Sequence, residues 1–253
     1  MADEPVTEPV SKFGGQPVWL EEPAWPVAPQ TAEPLVFIGQ FRVPGDEVRL
    51  AYLFLEEEGR IMGMNPASGE AVVLIQPDGR VPSFALIGPP ETRGRSLWRW
   101  GHDETEIPVE WLVDLEPVPP EVDAAADHHA AWWSYMRHEG PEVDLPSGDG
   151  PEDFLGGTAV LPNGHVWGLD DDSWLFLCQF ADRGEDAGDD PFFLNFGYGS
   201  GFLFISPDHR EGRFLGQPRQ VSGRTRGRCP RYGVRPGRWW RSSRSGWQCL
   251  AIV

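Results

Sequence analysis

The sequence predicts an α+β protein, mainly β, with two similar curved β subdomains and one clear helix between them. Three observations carry this. The stretch "PLVFIGQF" (34 to 41) returns as "SWLFLCQF" (173 to 180), and a Gly-Gly pair precedes each, Gly14-Gly15 and Gly156-Gly157. Beyond each Gln-Phe a second apolar run follows, "YLFL" (52 to 55) or "FLFI" (202 to 205), so the order repeats as well as the composition. Finally, 30 Gly and 26 Pro among 253 residues favour turns and short strands over a helical bundle. A half of this size buries too little alone and gains a core by packing against its copy.

Residues 1 to 34 carry Pro5, Pro9, Pro17, Pro23, Pro26, Pro29 and Pro34, which fix φ and remove donors. The expectation is an extended arm without regular structure, anchored by Trp19 and Trp25. A first β unit spans 35 to 120, with strand-like runs at 35–41, 48–55, 71–76 and 81–87 and another candidate at 110–118. "QPDGR" (76 to 80) has the chemistry of a turn joining the third run to the fourth. Residues 121 to 150 form a helix and an acidic linker. Pro119 and Pro120 suit the helix start, Ala-rich sequence its interior and Gly140-Pro141 its stop. A second β unit spans 151 to 216, with strand-like runs at 174–180, 192–196 and 201–205.

Charge is the most uneven property. The last 37 residues, 217 to 253, hold nine of the 21 basic residues and none of the 39 acidic ones. Residues 1 to 216 therefore carry 39 acidic and 12 basic side chains, a net of −27 against +9 for the tail. Such a body repels nucleic acid and anionic membranes, and only the Arg-rich tail attracts them. Three readings of 217–253 stand: a basic arm that binds nucleic acid, a segment folded back on the acidic body, or a disordered or out-of-frame stretch. The acidic N-terminus lacks the basic and apolar regions of a signal peptide, and no run approaches 18 apolar residues, so a cytoplasmic protein with no membrane partner is expected. Cys178, Cys229 and Cys249 form no CxxC pair and are expected to be reduced.

The segments "SKFGGQPVW", "AWP", "PLVFIGQF" and "LAYLFLEEEG" resemble the first half of the YwqG-like family of uncharacterised bacterial proteins. "FLGGTAV", "WLFLCQF" and "FGYGSGFLFISPD" are similar to its second half, so the resemblance covers roughly residues 11 to 216. It implies a cytoplasmic α+β protein with two similar barrel-like or strongly curved β subdomains. It implies no established activity, cofactor or catalytic residue. The second Gly-Gly departs from the family by leading to Thr158-Ala159 instead of an aromatic and Pro. The family's late Trp-Gly-Asp stands here as Phe196-Gly197-Tyr198, without the carboxylate.

No motif supplies catalytic chemistry. Lys12 is the only lysine, so there is no Walker loop, and "GYGSG" (197 to 201) lacks the third glycine of a dinucleotide fingerprint. His128, His129 and His138 share one predicted helix at angles that do not converge on one metal. Asp182, Asp186, Asp189 and Asp190 lie in a glycine-broken loop without the spacing of a calcium-binding loop. Gln40 and Gln179 occupy matching places, where a buried amide either ties strand to loop or faces a cleft between the halves.

The leading expectation is a non-enzymatic binding module for a basic protein or small ligand, with no cofactor. Its candidate contacts are Gln40, Gln179, Trp167, Trp174, Asp182, Asp186, Asp189 and Asp190. A hydrolase using the acidic loops and a nucleic-acid binder acting through the tail are the alternatives.

Overall fold

The computed structural model describes residues 2, 4–56, 66–101, 103, 105–117, 153–156, 160–161, 169, 173–181, 200–217, 232–233 and 250–252. The first strands are β1 (Lys12–Gly14), β2 (Pro26–Val27), β3 (Val36–Arg42), β4 (Leu50–Leu55), β5 (Ala71–Gln76) and β6 (Leu86–Ile87). Next come β7 (Trp98–Trp100), β8 (Glu106–Pro108), β9 (Glu110–Leu112), β10 (Leu115–Pro117), β11 (Phe154–Leu155) and β12 (Val160–Leu161). The last are β13 (Leu175–Ala181), β14 (Ser200–Ile205), β15 (Gly212–Gln217), β16 (Tyr232–Gly233) and β17 (Leu250–Ile252). The protein is β-rich, and among the described residues there is no helix. The predicted helix within 121–150 and the strand at 192–196 lie outside them.

Two antiparallel sheets hold the core. The first has the order β5-β4-β3-β1-β9 and the second β15-β14-β13-β11-β17-β10. Their central registers run alike. Gln40 lies opposite Tyr52 on one side and Lys12 on the other, and Gln179 lies opposite Phe202 and Phe154. A register shift falls between Phe37 and Gly39 in the first sheet and between Phe176 and Cys178 in the second. Gly14 and Gly156, each directly after or at the end of its short strand, have φ of 68° and 76°.

β3, β4 and β5 are rich in β-branched, aromatic and other apolar residues, and nearly every position is buried because both faces of the first sheet are covered. Alternate side chains of the two sheets meet in one cluster that includes Phe13, Ile38, Phe41, Leu53, Leu177, Phe180, Leu203 and Phe214. The phenylalanines of the two Gln-Phe pairs stack on each other there, with ring centroids 5.7 Å apart and planes at 13°. The opposite face of the first sheet presents Phe37, Tyr52, Phe54 and Leu74, and the N-terminal arm seals it with Trp25, Ala28 and Trp19.

Three expectations are corrected. The arm is not without regular structure: β1 lies within it, in the proline-free interval between Pro9 and Pro17, and is inserted between β3 and β9. The run at 81–87 yields only the two-residue β6, which pairs with β2 and not with β5. Pro82 has no amide to donate, and a turn follows it in which the Ala85 amide bonds the Pro82 carbonyl at 2.9 Å. The run at 110–118 divides into β9 and β10, which join different sheets on either side of Val113-Asp114.

The sheets also meet at their β5 and β15 edges. A Cβ on Gly212 would stand 2.2 Å from Val73 Cγ1, so only glycine permits this approach. Beside it two turns of similar sequence, Pro77-Asp78-Gly79-Arg80 and Pro207-Asp208-His209-Arg210, exchange arginines. Arg80 Nη1 is 2.5 Å from Asp208 Oδ2, Arg210 Nε donates to the Asp78 carbonyl at 2.6 Å, and the Arg80 amide donates to the Arg210 carbonyl at 2.6 Å.

Candidate functional site

The outer face of the first sheet, where the arm lies, holds the most developed polar arrangement among the described residues. Pro17 and Pro23 prevent the arm from pairing as a continuous strand, so its backbone needs side-chain partners. Gln40 supplies two: its Oε1 accepts from the Val18 amide at 2.9 Å and its Nε2 donates to the Val10 carbonyl at 2.8 Å. Tyr52, directly across the ladder, donates its hydroxyl to the Val18 carbonyl at 2.8 Å. Gln76 Oε1 accepts from the Leu20 and Glu21 amides, and its Nε2 donates to the Glu22 carbonyl.

At the start of the arm the only lysine is fully buried. Lys12 Nζ donates to the carbonyls of Val6 (3.2 Å) and Gln16 (2.8 Å) and to Glu110 Oε1 (2.5 Å), which occupies all three of its protons. Gly14-Gly15 makes the pair possible. A Cβ on Gly14 would meet the Val109 carbonyl oxygen at 1.9 Å, and its φ of +68° is a conformation that other residues rarely adopt. This arrangement was legible only as an oddity, a single lysine one residue from a Gly-Gly pair.

Of the candidate contacts, Gln40 is committed to the arm, and Gln179 is buried on the matching strand. Phe41 and Phe180 point between the sheets, so the adjacent glutamines point to opposite outer faces. The space a shared cleft would need is filled by the Phe13, Phe41, Phe180 and Phe214 rings. Trp174 is half-buried with the Arg213 guanidinium 4.9 Å from its ring centroid, and Phe84 of the first half lies 4.7 Å from the same guanidinium. Trp167, Asp182, Asp186, Asp189 and Asp190 lie outside the described residues, as do His128, His129 and His138.

Several titratable groups are shifted by their surroundings. Burial pushes the Tyr52 phenol well above its ordinary range, and the Glu21 carboxylate adds to the rise. Burial pushes the Cys178 thiol up, which leaves it inert as a nucleophile. Hydrogen bonds from Arg80 and Ser206 hold Asp208 below the usual carboxylate range, and burial lowers His209. Among the described residues no group of three or more His, Cys, Asp or Glu is arranged to hold a metal ion, and no helix is long and apolar enough to cross a membrane.

Tyr52→Phe is expected to cost about 1 kcal/mol at neutral pH through loss of the bond to Val18. The raised phenol makes a contribution that is fully present below the unfolded value near 10 and is lost as pH rises toward the folded value. Denaturant titrations between about pH 8 and 11 should therefore show the wild type losing stability above about pH 10. The Phe variant should lack that share of the slope, and an unchanged slope would place the titration elsewhere.

No family model matches this chain, and no curated protein or solved structure matches it.

Proposed function

We propose that this chain is a YwqG-like, non-enzymatic binding protein, a duplicated pair of β halves joined by one helix, whose acidic surface receives a basic polypeptide. The matching strand orders, the paired register shifts and the stacked Phe41 and Phe180 support the duplication. One observation carries the binding reading, the segregation of charge in the described surface. Lys12, Arg49, Arg80, Arg95 and Arg213 are each ion-paired with a carboxylate of the fold. The arm exposes Glu4, Glu8, Glu21, Glu22 and Glu33, and its single cation, Lys12, is buried. A field of this sign speeds encounter with cationic partners and rejects acidic ones.

The full chain should bind small basic proteins of defined sequence at low salt, with affinity falling steeply at moderate salt, and should ignore acidic proteins of equal size. Changing Asp182, Asp186, Asp189 and Asp190 together to Asn, or Trp167 and Trp174 to Ala, should weaken that binding if the second-half loops contribute. Equal binding of acidic and basic proteins would sink the reading. Salt-sensitive binding of single-stranded nucleic acid that requires residues 217–253 would favour the tail instead, and turnover of an ester or glycoside substrate would favour an enzyme.

A further inference from the structure

We propose that Phe84, Trp174 and Glu211 form a pocket for an arginine side chain of a basic partner, and that Arg213 fills this pocket in the free protein as a built-in competitor. The inference rests on the basic-partner reading and names where such a partner is gripped. Arg213 lies on β15 opposite Phe204, and its neighbour Phe214 is turned into the core, so alternation sends Arg213 to the outer face. There its guanidinium carbon stands 4.7 Å from the Phe84 ring centroid and 4.9 Å from that of Trp174. Both distances fall inside the roughly 6 Å within which a ring face attracts a cation. Three remote parts of the chain thus converge on one cation: the Pro82–Ala85 turn of the first half, the approach to β13, and β15 itself.

The contacts of Arg213 are of two kinds. Its hydrogen bonds are local, since Nη2 reaches Glu211 Oε1 at 2.6 Å and Nη1 donates to the Gly212 carbonyl at 3.0 Å, both within two residues of itself. Its contacts with the distant segments are the two rings, and a ring quadrupole does not distinguish one guanidinium from another. The rings have other supports. Phe84 is set by the turn in which the Ala85 amide bonds the Pro82 carbonyl, and it packs on the outer cluster of the first sheet. Trp174 directly precedes β13. The Arg213 side chain is 14% exposed and that of Glu211 20%, so the pocket has a solvent-facing side.

The charge beside the pocket is mixed. Arg80 pairs with Asp208 and Glu211, and Arg210 donates to the Asp78 carbonyl, so Glu211 already serves two cations. The ring pair therefore chooses the ligand here, and a planar, weakly hydrated guanidinium suits it better than the compact, strongly hydrated ammonium of lysine. A resident arginine lowers the apparent affinity of an external one in proportion to the time that it occupies the pocket.

The test uses the full chain labelled with 5-fluorotryptophan, the Trp174 fluorine resonance being assigned by Trp174→Phe. The probes are N-acetyl-arginine methylamide and its uncharged citrulline counterpart. In Arg213→Gln the arginine probe should shift that resonance with about fivefold higher affinity than in the wild type, the gain from removing an occupant present most of the time. Arg213→Ala should reproduce the gain, adding Phe84→Leu should abolish it, and the citrulline probe should show none. Equal affinity of wild type and both variants for the arginine probe, or an equal gain for citrulline, overturns the pocket and leaves Arg213 a structural pin. If small basic proteins still bind the wild type at low salt in that case, the basic-partner reading survives alone, and if they do not, both fall. Should neither variant fold, the wild type decides: its Trp174 resonance must respond to a high concentration of the arginine probe and not to citrulline, and silence overturns the proposal.

Discussion

Lys12→Met is expected to destabilise the protein by about 3–5 kcal/mol, because it leaves the Glu110 carboxylate in its largely buried setting without its cation. The arm loses two carbonyl contacts in the same step, those of Val6 and Gln16. The second change Glu110→Leu should recover most of the loss, since an apolar pair of similar volume costs neither desolvation nor an orphaned charge. Chemical denaturation of the two single variants and the double one measures this. If Lys12→Met costs less than about 1 kcal/mol, the range of an ordinary surface change, the pair does not carry the buried charge assigned to it.

Phe41→Ala and Phe180→Ala should each cost about 3–5 kcal/mol, the scale for removing a large buried ring. Against a typical total of about 5–15 kcal/mol, either leaves little margin. The two losses should not add. Rings stacked at 5.7 Å share the contact that each truncation removes, and a double-mutant cycle should return a coupling of about 0.5–1.5 kcal/mol. A coupling near zero would mean that the two halves do not meet through these rings. By contrast, an Arg80→Ala change at the exposed turn clasp should be nearly silent, because solvent screens such pairs.

Much of the sheet framework could be read from residues alone. β3, β4, β5, β13 and β14 are six or seven residues long and largely apolar, so composition announces them. β1, β9, β11 and β17 are two or three residues each, and their pairing is decided by partners far away in sequence. β15, "GRFLGQ", carries two glycines and an arginine that dilute its apolar signal, although its final Gln217 lies opposite Ser200 much as Gln76 lies opposite Leu50. The repeated Gln-Phe was visible from the start, but its meaning depends on which way each side chain faces. Alternation divides the pair, Phe to the shared core and Gln to an outer face, and for Gln40 the ligand is the protein's own arm. The acidic loops gave no such handle in sequence, since Asp182, Asp186, Asp189 and Asp190 fall in a glycine-broken run without the spacing of a calcium-binding loop.

The position of β17 has a consequence for the order in which the molecule is made. The first sheet draws all five strands from residues 12 to 112, so its ladder is available once that stretch has emerged from the ribosome. The second sheet joins Leu115 to Ile252 and Leu155 to Leu250, and it cannot close until the segment at 250–252 has been synthesised. Until β13, β14 and β15 have followed, Phe13, Phe41, Leu53 and Val73 face outward from a finished ladder without the Leu177, Phe180, Leu203 and Phe214 side chains that cover them. The nascent chain is then a half-sandwich with a sticky inner face, prone to capture by chaperones or by a neighbouring copy. Loss of the last few residues should accordingly be felt first as poor yield and aggregation during expression, before any defect in binding is measured.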